Sequence, residues 1–395
     1  MKVEAIDLFF LQVPDFDPLR DPVKDTLLVR VRAGQYVGWG ECEAAPLVSL
    51  MAFVTPDSHS TCRSVSASIL GQRLEDPSDI ARITSLVQQG CANLLQMPHA
   101  FSGVEMALWD LLGKKRQEPV YRLFGDAAVF GKQPYVVVPF GTTPIETFTR
   151  IHKLRGRGIH AVKVGWGGFG HGDLKSDREQ LSAAKEALGQ NGRLFIDAAQ
   201  VWKDDPAAAN QYVPMLKEFA IEWLEEPFDP TALDAYATLS RTYGRHQIAA
   251  GENIHSVAEA KRLLSKSGIG IIQIDCGRVG GIGAAREIAG FAAHQNLGYV
   301  NHTYTSHLSL SASLHAFSNL PQFELCEYPM DETSLSWKIC QDHLLLDSAG
   351  LVNVFDLPGL GVRMDIEAVR HYTQDLEISL SGKPVYRTPP LEDVS

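Results

Sequence analysis

The sequence of 395 residues contains no CxxC pair and no cluster of closely spaced cysteines. Its six cysteines are spread along the chain, which indicates free, mostly buried thiols in a reducing compartment. The sequence also lacks any run of about 18 apolar residues, and its first residues lack the basic and apolar segments of a secretion signal. We therefore expect a cytoplasmic protein with no membrane partner.

Basic residues are too few to balance the acidic ones. The chain carries 36 lysines and arginines against 47 aspartates and glutamates, a formal net charge of -11. Such a surface does not favour nucleic acid or an anionic membrane as a partner. A small anionic substrate would need local positive charge or a metal ion. The composition, 45% hydrophobic and 21% charged, is that of an ordinary globular protein with a core large enough for two or three structural units.

The first third of the chain has the pattern of strands followed by helices. Three strands are predicted in VEAIDLFFLQV, TLLVRVRA and YVGWGECEA, and helical patterns follow between Ser58 and Phe124. The clearest helix is GVEMALWDLLGKK, whose apolar residues fall on one face. Strands followed by a block of helices predict an α+β unit, which we place at residues 1–130.

From about Gln133 onward, strands and helices alternate. Eight buried strands are predicted, and each ends near one marker residue: Val138, Lys163, Asp197, Glu225, Glu252, Asp275, His302 and Glu327. The numbers of successive markers differ by 23 to 34. A barrel of roughly 250 residues with eight units needs about 31 residues per unit or somewhat fewer. We therefore predict an α/β fold, a (β/α)8 TIM-type barrel at residues 131–345, with residues 346–395 packing back on the N-terminal unit.

Three of the predicted strand ends carry neighbouring carboxylates. Asp197, Glu225 and Glu252 end consecutive strands, and the C-terminal strand ends of such a barrel are where active sites lie. At the roughly 5 Å spacing of neighbouring strands, three carboxylates repel one another unless a cation lies between them. An ion-pair network with the barrel's own lysines is the alternative. Because no histidine or cysteine accompanies the three, the oxygen-only donor set favours Mg²⁺ over Zn²⁺.

The other strand ends supply groups for proton transfer. His302 and Asp275 end adjacent predicted strands, so the aspartate can bond to one ring nitrogen and raise the basicity of the other. Lys163 reaches the same rim, where it could polarise a carboxylate, deliver a proton or only neutralise the acidic cluster. A histidine that follows a strand can be purely structural, but the neighbouring aspartate and the metal site favour a catalytic role.

Several motifs resemble those of the mandelate racemase branch of the enolase superfamily. They are AVKVG, FIDAAQ, WLEEP, AAGEN, IQIDCGRVGGI, VNHTYTSHLSLSASLH and PGLGV, while GWGE and GVEMALWDLLGKKRQEPVYRLFG resemble the family's capping domain. The resemblance implies Mg²⁺ as cofactor and a histidine or lysine base that removes the proton next to a carboxylate. By position it implies the following roles: Asp197, Glu225 and Glu252 as metal ligands, His302 and Asp275 as a catalytic dyad, Lys163 as the first lysine of a KxK motif, and Glu327 as an acid that donates a hydrogen bond to a substrate carboxylate.

The sequence departs from the family pattern at four places. Gly165 replaces the second lysine of the KxK motif, and Ala199 stands where relatives often have asparagine or an acid/base histidine. His307 aligns with the racemases' histidine almost as well as His302, so either could be the base. The segment GWGGFGHGDLKSD is longer than usual and could bring one of three side chains over the site: Trp166, His171 or Lys175.

The missing lysine favours one reaction class. A racemase needs an acid/base group on each face of its planar intermediate, whereas a dehydratase can work with one dyad. We therefore predict a magnesium-dependent hydro-lyase that dehydrates an acid sugar, an aldonate or aldarate, to a 2-keto-3-deoxy acid. The alternatives are a racemase or epimerase of a 2-hydroxy acid and a pseudoenzyme that binds sugar acids. We also expect a homo-oligomer, a dimer or octamer, with specificity set by loops around residues 14–24 and 43–60.

Overall fold

The computed structural model describes residues 1–14, 25–43 and 45–391. Its N-terminal unit is an antiparallel sheet covered by helices. The sheet has the order β1 (Ala5–Gln12), β2 (Asp25–Ala33) and β3 (Tyr36–Cys42). Five helices follow: α1 (Pro46–Val54), α2 (Val65–Ile69), α3 (Pro77–Gly90), α4 (Met97–Arg116) and α5 (Val120–Leu123). Residues 15–24 and residue 44, in the two loops expected to set specificity, lie outside the described residues.

Helix α4 contains the predicted segment GVEMALWDLLGKK, but it is buried on nearly all sides rather than on one face. It packs on β2 and β3 on one side and reaches the barrel on the other. A helix between two layers has little solvent-exposed surface, so polar as well as apolar residues are buried around it. Its two buried acids, Glu105 and Asp110, are hydrogen-bonded.

Eight parallel strands form the barrel, and helices cover its outside. The strands are β4 (Gln133–Val137), β5 (Ala161–Val164), β6 (Arg193–Asp197), β7 (Leu224–Glu225), β8 (Ile248–Ala250), β9 (Ile271–Ile274), β10 (Gly298–Asn301) and β11 (Leu325–Glu327). The helices between them are α6 (Pro144–Arg155), α7 (Leu174–Leu188), α8 (Pro206–Glu218), α9 (Leu233–Tyr243), α10 (Val257–Lys266), α11 (Ile282–His294) and α12 (His307–Phe317), with a 3-10 turn at Arg245–Gln247. Strands β4 to β10 pair in chain order, and β11 pairs with β4.

The seam between β10 and β11 is bridged by a side chain. Asn301 Nδ2 donates to the Glu327 carbonyl at 3.0 Å, and the Glu327 N–H donates to Asn301 Oδ1 at 3.2 Å. The side-chain amide thus takes the place of a backbone partner between the two strands. The predicted (β/α)8 architecture is confirmed, and its C-terminal strand ends converge on one rim.

The C-terminal segment returns to the N-terminal unit. Its elements are α13 (Leu335–Lys338), α14 (Ile366–Tyr372) and a hairpin of β12 (Glu377–Leu380) and β13 (Lys383–Arg387). The Tyr386 hydroxyl donates to the Leu8 carbonyl at 2.7 Å, which ties the hairpin to β1. None of the described helices is long and apolar enough to cross a membrane.

Candidate active site

The three predicted carboxylates meet at the barrel rim. Asp197 and Glu225 are the last residues of β6 and β7 and are partners in the strand register, and Glu252 lies two residues past β8. One oxygen from each carboxylate lies within 4.8 Å of the other two. Asp197 and Glu225 are buried, whereas Glu252 is partly exposed. This donor set fits a hard divalent cation that keeps part of its shell open to water or substrate.

The electrostatics of the cluster also fit a cation. Burial, followed by the charge of Glu225, raises the pKa of Asp197 well above its usual value. Burial likewise raises the pKa of Glu225, although the Lys163 ammonium partly opposes this. Burial also disfavours the Glu252 anion, but the positive charges of His302 and Arg278 outweigh it and lower the pKa of Glu252. A bound cation would relieve the repulsion that the three anions exert on one another.

Lys163 lies among four carboxylates, those of Asp197, Glu225, Glu252 and Glu327. Its Nζ is 2.5 Å from Glu225 Oε1, 3.3 Å from Glu327 Oε2 and 3.9 Å from Asp197 Oδ2. Burial alone would lower the pKa of this ammonium, but the surrounding anions raise it well above its usual value. Glu327 ends β11 and also accepts a hydrogen bond from the Tyr135 hydroxyl at 2.9 Å. One lysine does not neutralise four carboxylates, so an ion-pair network with Lys163 alone leaves the cluster negative.

His302 and Asp275 form the predicted pair. The distance from His302 Nδ1 to Asp275 Oδ2 is 2.7 Å, and the other Asp275 oxygen accepts the Gly277 N–H at 2.6 Å. His302 Nε2 lies 3.3 Å from Glu252 Oε2, on the side of the carboxylate cluster. Burial would lower the pKa of His302, but Glu252, Glu327 and the Asp275 bond together raise it to about 10. The geometry orients Nε2 toward the proposed metal site.

The structure does not bring His307 to this rim. It begins α12, and its Nδ1 accepts the Leu344 N–H at 3.1 Å. Its ring packs against Trp337 and His343, with centroid distances of 4.6 and 4.9 Å. Burial and the neighbouring His343 lower its pKa to about 3. A helix starts at this residue, and the turn of the chain before it sends the side chain away from the strand ends.

Gly165 leaves no room for a lysine. It directly follows β5 with a φ of +107°, and a Cβ built there would lie 2.8 Å from the Asp197 carbonyl oxygen. In the glycine-rich segment that follows, Phe169 is buried, whereas Trp166 is 61% exposed. Lys175 lies near Glu179 on the exposed side of α7. Within the described part of the chain, no hydrogen bond or ion pair joins Trp166, His171 or Lys175 to the carboxylate cluster.

Two functional candidates were missed by the sequence patterns. Glu43, directly after β3, extends from the N-terminal unit to the rim, where it pairs with Arg278. Glu43, Asp275 and His302 each place one polar atom within 4.8 Å of the others. Glu41, on β3, and Glu43, directly after β3, are two residues apart, and in an extended chain this spacing points both acids to the same face. The sequence alone does not show which surface that face covers.

Two family models match the sequence. The model described as enolase C-terminal domain-like matches residues 148–369, more than half of the chain. The model of the mandelate racemase/muconate lactonizing enzyme N-terminal domain matches residues 23–125. The chain belongs to the enolase superfamily. Within it, the match to the N-terminal model places the protein in the mandelate racemase branch, as the sequence motifs predicted.

Relatives of this enolase superfamily member carry different reaction names. A 3,6-anhydro-alpha-L-galactonate cycloisomerase of Streptomyces coelicolor is 30% identical over 68% of this chain and 70% of its own. An arabinonate dehydratase of Saccharolobus solfataricus is 29% identical over 66% of this chain and 68% of its own. The crystal structure of a Rhodobacter sphaeroides protein, described as a predicted mandelate racemase, is 47% identical and has a TM-score of 0.93, covering 98% of this chain and 100% of its own. Family membership therefore does not by itself select the reaction.

Proposed function

We propose that this protein is a magnesium-dependent dehydratase of an acid sugar. In this reaction it removes the proton next to the carboxylate and eliminates the β-hydroxyl to give a 2-keto-3-deoxy acid. The observation that carries the proposal is the His302–Asp275 pair, which faces the three-carboxylate cluster, together with the lack of space for a lysine side chain at Gly165. The names of the curated relatives above, which refer to galactonate and arabinonate, support a sugar-acid substrate.

The proposed ligands of the metal are Asp197, Glu225 and Glu252. Their oxygens suit Mg²⁺ better than Zn²⁺ because no nitrogen or sulfur donor is among them. A bound Mg²⁺ would act as a Lewis acid toward the substrate carboxylate and offset the negative charge that develops when the α-proton is lost.

His302 is the proposed base. Asp275 holds its Nδ1, so that Nε2 faces the cluster. A cation bound among the anions that raise the pKa of His302 would lower that pKa, and the neutral ring could then take the α-proton at Nε2. The same nitrogen, once protonated, can give its proton to the departing β-hydroxyl. Lys163 lies where it can stabilise a carboxylate oxygen of the substrate, and Glu327, between Lys163 and Tyr135, is the proposed hydrogen-bond partner of that carboxylate.

The second candidate is a racemase or epimerase of a 2-hydroxy acid. The relative described as a predicted mandelate racemase favours it. Against it, the position of the second lysine has no space for a side chain. A sugar-acid-binding pseudoenzyme is the third candidate, and the intact pairing of His302 with Asp275 argues against it.

The test is a screen of mono- and diacid sugars with Mg²⁺, in which 2-keto acids are trapped with semicarbazide. We expect one sugar acid to give a 2-keto product, and we expect chelator treatment and Glu225→Gln each to abolish it. Deuterium uptake from solvent without a 2-keto product would identify the isomerase instead. Full turnover in the chelator-treated enzyme would refute the metal assignment.

A further inference from the structure

A carboxylate of the N-terminal unit lies against the barrel beside the proposed metal site. Glu43 is fully buried, and its N–H donates to the Gly277 carbonyl at 3.3 Å, in the loop after β9. A side chain at position 277 would not fit, because its Cβ would lie 2.6 Å from the Glu43 Cβ. The close approach at this glycine fixes Glu43 on the rim.

The partner of Glu43 is Arg278. The guanidinium donates to both carboxylate oxygens, through Nε to Oε2 and through Nη2 to Oε1 at 2.8 Å, which is a bidentate pair. Its remaining nitrogen, Nη1, donates to the Glu252 carbonyl at 3.2 Å and lies only 3.6 Å from Glu252 Oε1. Arg278 therefore lies between a carboxylate of the N-terminal unit and a proposed metal ligand.

We propose that Glu43 is a positioning residue: by holding the Arg278 guanidinium in a bidentate pair, it limits the pairing of Arg278 with the Glu252 carboxylate to one 3.6 Å contact, so that Glu252 stays available to a divalent cation. This inference rests on the proposed metal site. The Arg278 side chain is only 10% exposed, and a buried guanidinium needs a counter-ion. Without the charge of Glu43, the nearest alternatives are Asp275 and Glu252.

Of these two alternatives, Glu252 is the more available. Both oxygens of Asp275 are already engaged, by His302 and by the Gly277 N–H. The Glu252 side chain is 19% exposed and already lies beside Nη1. An arginine paired with Glu252 competes with a cation for the same oxygens. Loss of Glu43 is therefore expected to weaken metal binding through a residue that does not itself touch the metal.

The experiment is a titration with Mn²⁺, followed by electron paramagnetic resonance, of the parent protein and four variants. Glu41→Gln is the matched control, because Glu41, two residues earlier on β3, is equally buried but accepts from Thr26 and from the Ser306 N–H instead. Glu43→Gln is expected to raise the Kd by about 10- to 100-fold, the usual loss for an outer-shell partner. Glu41→Gln is expected to bind as the parent does.

The remaining two variants test the route through Arg278. Glu43→Gln/Arg278→Met is expected to recover the parent affinity, because the competing cation is gone. Arg278→Met alone is expected to bind at least as tightly as the parent, and it tests the same idea if Glu43→Gln does not fold. A parent protein that binds no Mn²⁺ would refute the metal site itself. If the parent binds Mn²⁺ and Glu43→Gln binds it equally well, the role of Glu43 is refuted while the metal site stands. The same holds if Glu41→Gln weakens binding as much as Glu43→Gln does. It also holds if either Arg278 variant binds Mn²⁺ weakly while its circular dichroism and Tm match those of the parent.

Discussion

Removal of the Lys163 side chain takes one positive charge from the carboxylate cluster. Its ammonium is the cation nearest to Glu225 and Glu327 among the described residues. Lys163→Ala is expected to lower kcat by about 10²- to 10³-fold, the usual loss when one group that stabilises developing negative charge is removed. Mg²⁺ affinity should not fall, since the cluster becomes more negative. The rate of 2-keto acid formation measures the effect on kcat, and a metal titration measures the effect on Mg²⁺ affinity. An unchanged kcat or a loss of metal binding would contradict the proposed role of Lys163.

At the residue scale, the proposed ligands and the dyad could be named from the sequence because each follows a strand at the regular spacing of a barrel. The structure places Asp197, Glu225 and Glu252 together as that spacing predicted. The choice between His302 and His307 could not be made, since it depends on where β10 ends and α12 begins. Glu43 could not be found either, because its proximity to Asp275 depends on how two units of the chain pack.

The end of β5 is the element that most restricts the chemistry. Gly165 combines a positive φ with a close approach to the backbone of Asp197, so Gly165→Lys must move a proposed metal ligand. We expect this variant to lose about 1–3 kcal/mol of stability from backbone strain, to bind Mn²⁺ more weakly and to gain no racemase activity. Urea unfolding measures the loss of stability, and the Mn²⁺ titration measures the loss of metal affinity.

The matched control is Gly167→Lys in the same loop. Its φ is also positive, at +72°, but a Cβ there has no neighbour within 4 Å among the described residues. It should share the backbone strain and keep the parent affinity for Mn²⁺. A Gly165→Lys protein with the parent's stability and metal affinity would show that the second lysine is absent for some reason other than space.

At the element scale, the regular alternation of strands and helices was sufficient to predict the barrel. The sequence predicted less where the burial of an element depends on what packs against it. The pattern of α4 indicated one buried face, whereas contacts with both the sheet and the barrel bury its whole circumference. The hairpin of β12 and β13 was not predicted, because its burial pattern is mostly exposed and gives no alternating apolar signal.

The whole molecule has a buried acid where its two units meet. Glu105 of α4 accepts hydrogen bonds from the backbone N–H groups of Ile282 and Gly283, at the start of α11, and from Trp109. These donors favour the anion, but complete burial outweighs them and raises the pKa of Glu105 from 4.5 to about 7. Between pH 4.5 and about 7, Glu105 holds a proton in the folded protein that it has lost in the unfolded chain. The free energy of unfolding therefore falls as the pH rises through this range.

This linkage gives a prediction for stability against pH. A rise of this size corresponds to at most about 3 kcal/mol of stability, present below pH 4.5 and lost as the pH rises to about 7. Glu105→Gln cannot titrate, so its free energy of unfolding should fall less than the parent's across this range, even though the amide NH₂ cannot accept from a backbone N–H as the second carboxylate oxygen does. Urea unfolding from pH 4.5 to 8 measures both slopes. Equal slopes would show that Glu105 is ionised across the whole range.

The central claim is that His302 removes the proton next to the substrate carboxylate. Proton NMR in deuterated water, with the sugar acid found in the screen and saturating Mg²⁺, tests it most directly. The parent and His307→Asn should both lose the α-proton signal as the 2-keto-3-deoxy acid forms. His302→Asn should retain the α-proton while binding the metal with the parent's affinity. Loss of the α-proton in His302→Asn, or its retention in His307→Asn, would contradict the account.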